Sequence, residues 1–152
     1  MSRENEPGSG RKRLRVFVDA NTIVSGLVFE GNEALLLRLG EIRLCGLVTT
    51  RYVMDEVHQA LRAREFELTE DEVEALIAFA YRCMMVYDGP NRDTLHRYSS
   101  RLDDKKDVHV LASFEGLDCD MLVTGDRELL GKVNRAKTTR QAIETLLGWG
   151  KF

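Results

Sequence analysis

The chain has 152 residues, 43% of them hydrophobic, with 22 Lys and Arg against 25 Asp and Glu and a formal net charge of −3. Such a composition suits one globular domain and excludes a disordered chain. No apolar run approaches the roughly 18 residues needed to cross a bilayer, so no membrane partner is expected. A mildly acidic total also counts against a nucleic-acid partner, since polyanion binders usually carry a positive footprint.

Residues 1–13, MSRENEPGSGRKR, are polar and cannot bury anything, and they read as a flexible basic arm or a cloning remnant. Residues 14–152 are then a single domain. No apolar stretch precedes Leu14, so no secretory leader is expected. Cys45, Cys83 and Cys119 form no CxxC pair and read as small core residues in a reducing compartment, which favours a cytoplasmic location.

From Leu14 onward, strand and helix signals alternate. Leu14–Val18 is an apolar strand closed by Asp19, and Glu33–Leu39 is a leucine-rich helix. Leu44–Val48 is a second strand, after which Thr49 or Thr50 can cap a helix reaching about Arg64. Thr69 with Glu72 is a capping box opening a helix striped by Val73, Leu76, Ile77, Ala80 and Met84. Met85–Tyr87 is a short strand before the Gly89–Pro90 turn. A weak helix over Arg92–Arg101, a helix over Lys105–Glu115, a strand at Met121–Thr124 and a helix at Thr139–Leu147 follow. Short strands alternating with longer helices predict an α/β fold, a three-layer α/β/α sandwich around a parallel sheet of about five strands.

Four carboxylates stand out on this scaffold. Glu56 lies three residues after Val53 and four before Ala60, on or beside the inward stripe of its helix. Asp107 lies three, four and seven residues before Val110, Leu111 and Phe114. Asp19 and Asp126 each follow an apolar strand, where an open parallel sheet presents its ligand crevice. Their convergence requires the first strand and the strand before Asp126, the last of about five, to lie side by side.

Singly, each acid has an ordinary account: Asp19 and Asp126 as turn or cap residues, Asp107 as a first-turn acid, Glu56 in a rim ion pair with Arg51 or Arg64. Together they are harder to dismiss, because buried unpaired carboxylates are costly. Two of them about 4 Å apart repel by roughly 4 kcal/mol at an effective dielectric of about 20. A divalent cation removes that repulsion, and all-oxygen ligands favour Mg²⁺ or Mn²⁺ over zinc. A bound Mg²⁺ would suit phosphodiester hydrolysis.

The segments Val16-Phe17-Val18-Asp19-Ala20-Asn21 and Val24-Ser25-Gly26-Leu27 resemble the first motif of PIN-domain nucleases. The segment from Leu122 to Leu130, LVTGDRELL, resembles their last acidic motif, and Glu56 and Asp107 match the middle acids. The resemblance spans about residues 14–147. It implies a Mg²⁺- or Mn²⁺-dependent endoribonuclease, with VapC-like toxins of toxin–antitoxin systems as the nearest subtype and an antitoxin protein as partner. By position, Asp19 and Asp107 become the principal metal ligands and Asp126 completes the cluster. Glu56 holds a water on the metal or the nucleophile, and Asn21 and Thr124 are supporting polar groups. Ala20 stands where the family often has Thr or Ser. Asp104 rivals Asp107 as third acid, but Asp107 has the family's spacing to Ala112-Ser113, which leaves Asp104 as a helix cap.

Other chemistry fits less well. His58, His96 and His109 form no HxxxH or HxH pair, and His109 falls off its helix's apolar stripe, which reads as a surface position. Gly125 to Gly131-Lys132-Val133 misses the phosphate-loop spacing and lacks its Ser or Thr. An RNA-processing nuclease without an antitoxin, a receiver-like or phosphatase-like Mg²⁺ domain, and a non-catalytic binding module remain as alternatives. Lys105, Lys106 and Arg127 flank the acids and could hold an RNA polyanion, and Tyr52 could stack on a base or pack in the core. Leu35–Leu37, Leu39 and Trp149 read as outward apolar residues suited to a homodimer or a partner groove.

Overall fold

The computed structural model describes residues 13–148; the amino-terminal arm up to residue 12 and Trp149 lie outside the described residues. Five strands form one all-parallel sheet: β1 (Arg15–Val18), β2 (Gly46–Thr50), β3 (Met84–Tyr87), β4 (Met121–Val123) and β5 (Ala136–Lys137). Their order is β3-β2-β1-β4-β5. Apolar runs such as Val16-Phe17-Val18 and Met121-Leu122-Val123 are buried throughout, as expected where both faces of a parallel sheet are covered.

The chain moves outward from β1 through β2 to β3, returns to β4 on the other flank of β1, and ends at β5. Right-handed crossovers therefore place α1 (Ala20–Val28), α2 (Asn32–Glu41), α3 (Arg51–Leu61) and α4 (Glu70–Cys83) on one face. They place α5 (Arg92–Tyr98), α6 (Val108–Gly116) and α7 (Arg127–Lys132) on the other. The last helix, α8 (Thr139–Leu147), packs on α2 and so returns to the first face. This is the expected three-layer α/β/α sandwich. The strand before Asp126 is the fourth rather than the last, since the two-residue β5 follows it. It is nonetheless β4 that lies against β1, with Val18 opposite Val123.

Local chemistry sets the element ends. Thr50 caps α3 by accepting the N–H of Val53, and Thr69 and Glu72 form the complete capping box of α4. Helix α1 mixes apolar residues with Asn21, Thr22, Ser25 and Gly26, and it begins because Asp19 caps it. The expected Lys105–Glu115 helix divides into a 3₁₀ turn, Lys105–Asp107, followed by α6. Leu36 and Leu37 are fully buried and Leu39 nearly so, which corrects the outward reading of that stretch. Helix α2 is covered by the sheet on one side and by α1, α4 and α8 on others, so these leucines are core. All three cysteines are buried and unpaired by disulfides. Among the described residues no helix is long and apolar enough to cross a membrane.

Gly40 marks the closest approach of α2 to its surroundings. A Cβ there would stand 2.5 Å from the Cys83 carbonyl oxygen and 2.4 Å from Leu47 Cδ1. The carbonyl belongs to the end of α4 and cannot swing away. Gly40→Ala is therefore expected to cost about 1–3 kcal/mol in urea unfolding. Gly116→Ala, where a Cβ meets nothing, should stay within about 0.5 kcal/mol of the parent.

Candidate active site

Between β1 and β4 the strand order reverses direction, and there the carboxyl ends of the strands open a crevice. Asp19 leaves β1 at this point. It is only 9% exposed, its Oδ1 accepts the Thr22 N–H at 3.1 Å as the cap of α1, and its Oδ2 accepts the Thr124 hydroxyl at 2.5 Å. Burial pushes its carboxyl above the usual range, the bonds from Thr124 and Thr22 oppose that, and the Asp126 charge adds to it.

Thr124, just past β4, is buried and bonded on both sides: its Oγ1 donates to Asp19 and accepts the Asp126 N–H at 3.0 Å. Asp126 in turn caps α7, with Oδ1 accepting the Leu129 N–H at 2.9 Å. Capping and clustering are thus not rival accounts of these acids.

Asp107 closes the 3₁₀ turn and enters α6 without capping it through its side chain. Its carboxyl stands within hydrogen-bonding reach of the Asp126 carboxyl. Two ionised carboxylates are both acceptors, so that contact needs a shared proton or a cation between them. Burial first, then Asp126, Asp104 and Asp19, push Asp107 up to about 7. The ion pairs of the described residues lie elsewhere, and none involves Asp19, Asp107 or Asp126.

Asp104 is exposed and its side chain accepts the Lys106 N–H at 2.9 Å, as the cap of the 3₁₀ turn. Its loop is held by Glu128, which sequence reasoning passed over. The Glu128 carboxylate accepts the backbone N–H of Asp103 at 2.7 Å and of Asp104 at 3.1 Å, and pairs with Lys132 at 2.7 Å. The Lys132 bond and those two N–H groups hold its pKa down to about 2. The side chain of Lys105 turns back to the carbonyls of Ser99 and Leu102.

Glu56 departs from the sequence reading. The inward stripe of α3 is filled by Val53, Met54, Val57 and Leu61, and Glu56 is 49% exposed. Its partner is neither Arg51 nor Arg64 but His109, whose Nε2 stands 2.9 Å from Glu56 Oε1. His109 is not a surface residue: its side chain is 16% exposed, its buried Nδ1 has no partner, and its ring packs at 5.6 Å against Tyr52. What α6 turns away from the core it turns onto the first turns of α3. Asn21 is exposed and lines a polar cleft with Ser25, Thr124, Thr138 and Arg140, and Thr124 links that cleft to Asp19 and Asp126.

The structure therefore brings Asp19, Asp107 and Asp126 together, with Asp104 beside them and Glu56 joined through His109 to the helix of Asp107. Hard oxygen donors without a cationic partner fit a Mg²⁺- or Mn²⁺-type ion. Among the described residues no three His, Cys, Asp or Glu side chains stand close enough as placed to share one ion. The fit thus rests on the Asp107–Asp126 pair, with Asp19 next to it.

Comparison with known proteins places this geometry. A family model described as PIN domain matches residues 15–128, a span holding all four acids. A crystal structure of PAE2754 from Pyrobaculum aerophilum has a similar fold, with a TM-score of 0.66 and 20% identity. The match covers 89% of this chain and 96% of that one. No curated protein matches the chain.

The shift at Asp107 fixes a pH dependence. Its folded pKa, about 7, exceeds the ordinary 3.8, so between those values the folded protein keeps a proton that the unfolded chain releases. Stability from this group is present below about pH 4 and is lost as the pH rises through about 7. With chelator present, the protein should be less stable at about pH 8 than at about pH 5, by on the order of 1 kcal/mol after solvent screening is allowed for. Asp107→Asn should flatten that slope in urea titrations and raise stability at the higher pH. An unchanged slope in the variant would count against the clustered geometry.

Proposed function

Since this chain belongs to the PIN-domain family, whose members are generally nucleases, we propose that it is a Mg²⁺- or Mn²⁺-dependent endoribonuclease acting on single-stranded RNA. The observation that carries the reading is the contact of the Asp107 and Asp126 carboxyls beside buried Asp19, with no ion pair to any of the three among the described residues. Asp19, Asp107 and Asp126 would hold the ion. When bound, it supplies charge neutralisation, polarisation of the phosphodiester and a more acidic water.

The chain's own residues do the positioning. Thr124 fixes Asp19 against Asp126. Glu128 fixes the loop entering Asp107. His109 fixes Glu56 at the rim, where a carboxylate can orient a water or accept its proton. The polar cleft of Asn21, Ser25, Thr138 and Arg140 offers hydroxyl, amide and guanidinium donors to a phosphate backbone.

In its cellular role we place the protein as the toxin half of a toxin–antitoxin pair. The support is the likeness of its acidic motifs to such toxins and the fit of one small catalytic sandwich to the chain. An adjacent short reading frame encoding a DNA-binding protein that neutralises the nuclease is the expected context. A nuclease that no neighbouring product inhibits would instead belong to RNA processing.

Asp19→Asn is the direct test of the chemistry. Asparagine still accepts the Thr22 N–H and keeps the cap of α1, so the variant should fold. Cleavage of single-stranded RNA with Mg²⁺ should fall by about 100-fold or more, and the rise in Tm on adding Mg²⁺ should shrink with it. Undiminished cleavage would overturn the assignment.

A further inference from the structure

Besides the polar cleft, the molecule carries a second one of opposite character, walled in part by chain neighbours of Asp107. It has a volume of about 390 Å³ and is lined by Tyr52, Leu95, His96, Lys105, Val108 and His109. That size falls within the range of small-molecule sites. Lys105, Val108 and His109 flank Asp107 in the chain, so the turn that delivers this acid also supplies a wall of the cleft.

Tyr52 is the informative wall. It is 44% exposed, yet its ring is pinned. Gly89 lies against its Cδ2–Cε2 edge, so that a Cβ at Gly89 would stand 1.9 Å from Tyr52 Cδ2, and the phenol bonds the Pro90 carbonyl at 3.4 Å. On its other flank the His109 imidazole is tilted by 43° at 5.6 Å, and the Glu56 carboxylate fixes that imidazole. Leu95 and Val108 supply apolar surface, and both are packed against the core. Lys105 spends its ammonium on the Ser99 and Leu102 carbonyls, which holds that side of the cleft.

We propose that this cleft binds one unstacked nucleobase of the RNA, adjacent to the phosphate addressed by the acids; the proposal rests on the nuclease reading above. A half-exposed aromatic ring held rigid by backbone at one edge and by a tilted imidazole beside it loses little freedom when a flat ligand stacks on its open face. Apolar walls suit the faces of a base, while the adjoining polar cleft suits the sugar-phosphate chain. A paired base cannot enter, so the site selects single strands. Tyr52, which the sequence leaves between core and base-stacking roles, is thereby assigned to the second.

The test is binding without cleavage. Affinities of the chelated full chain at low salt are compared for fluorescent RNA octamers of uridine or adenosine and for an abasic octamer of equal charge. Stacking of one base corresponds to about a 10-fold preference for at least one base-bearing octamer. Tyr52→Ala should bring that ratio close to one. Gly89→Ala, which displaces the ring without removing it, should lower the ratio as well. Tyr52→Phe should keep it. Circular dichroism of each variant separates lost folding from lost stacking. Equal affinity for abasic and base-bearing octamers, a preference that survives Tyr52→Ala, or no binding of any octamer would overturn the proposal. Failure of the nuclease reading shows separately, as RNA cleavage that Asp19→Asn leaves intact.

Discussion

The pairing of β1 with β4 is the contact on which the rest of the molecule's chemistry depends. It joins segments some 105 residues apart, with Phe17 against Leu122 and Val18 against Val123, and the Asp19 N–H continues the ladder to the Val123 carbonyl. Closing so long a loop is unfavourable until buried apolar surface repays it, and the apolar residues of both strands are buried. At the end of this ladder a single hydroxyl, that of Thr124, touches one acid and the backbone of the next. A one-residue slip in register would turn every side chain of β4 to the other face of the sheet and break that bridge.

Each acid divides its work between folding and chemistry. Asp19 and Asp126 devote one carboxylate oxygen to a helix N-terminus, which fixes their rotamers before any ligand arrives. Favourable capping thus offsets part of the cost of crowding like charges. Asp107 has no such capping bond, and it is the acid whose pKa rises to about 7. The strain of the cluster is therefore concentrated on the one member with the least local support.

Much of this arrangement was legible in the chain. Apolar runs ending in Asp19 and in Thr124-Gly125-Asp126 carry the parallel sheet and its crevice in their composition. Thr69 with Glu72 marks the start of α4 in four residues, and α8 was bounded correctly at both ends. What escaped was decided by contacts between distant segments. Glu56 borders the α3 stripe in projection, but Met54 and Val57 fill that face and leave the acid on the rim. His109 looks like a surface residue along α6 and is enclosed only because α3 begins beside it. Helix α1 passed unnoticed because Asn21, Thr22, Ser25 and Gly26 break its apolar run into a stretch of small and polar residues, and β5 is two residues long.

The six residues of α7 tie two of the acids to one another. Asp126 begins the helix, and Glu128, in its first turn, grips the backbone of the loop that delivers Asp107. The gap between those two carboxyls is therefore set by one short rigid piece, in the manner of a calliper. Asp19 hangs from a different frame, the end of β1. A displacement of α7 would carry Asp107 and Asp126 together and would pull on the Thr124 hydroxyl, which ties the Asp126 N–H to Asp19. That hydroxyl is thus the pin at which the two frames meet, one carrying the jaws and the other the third acid.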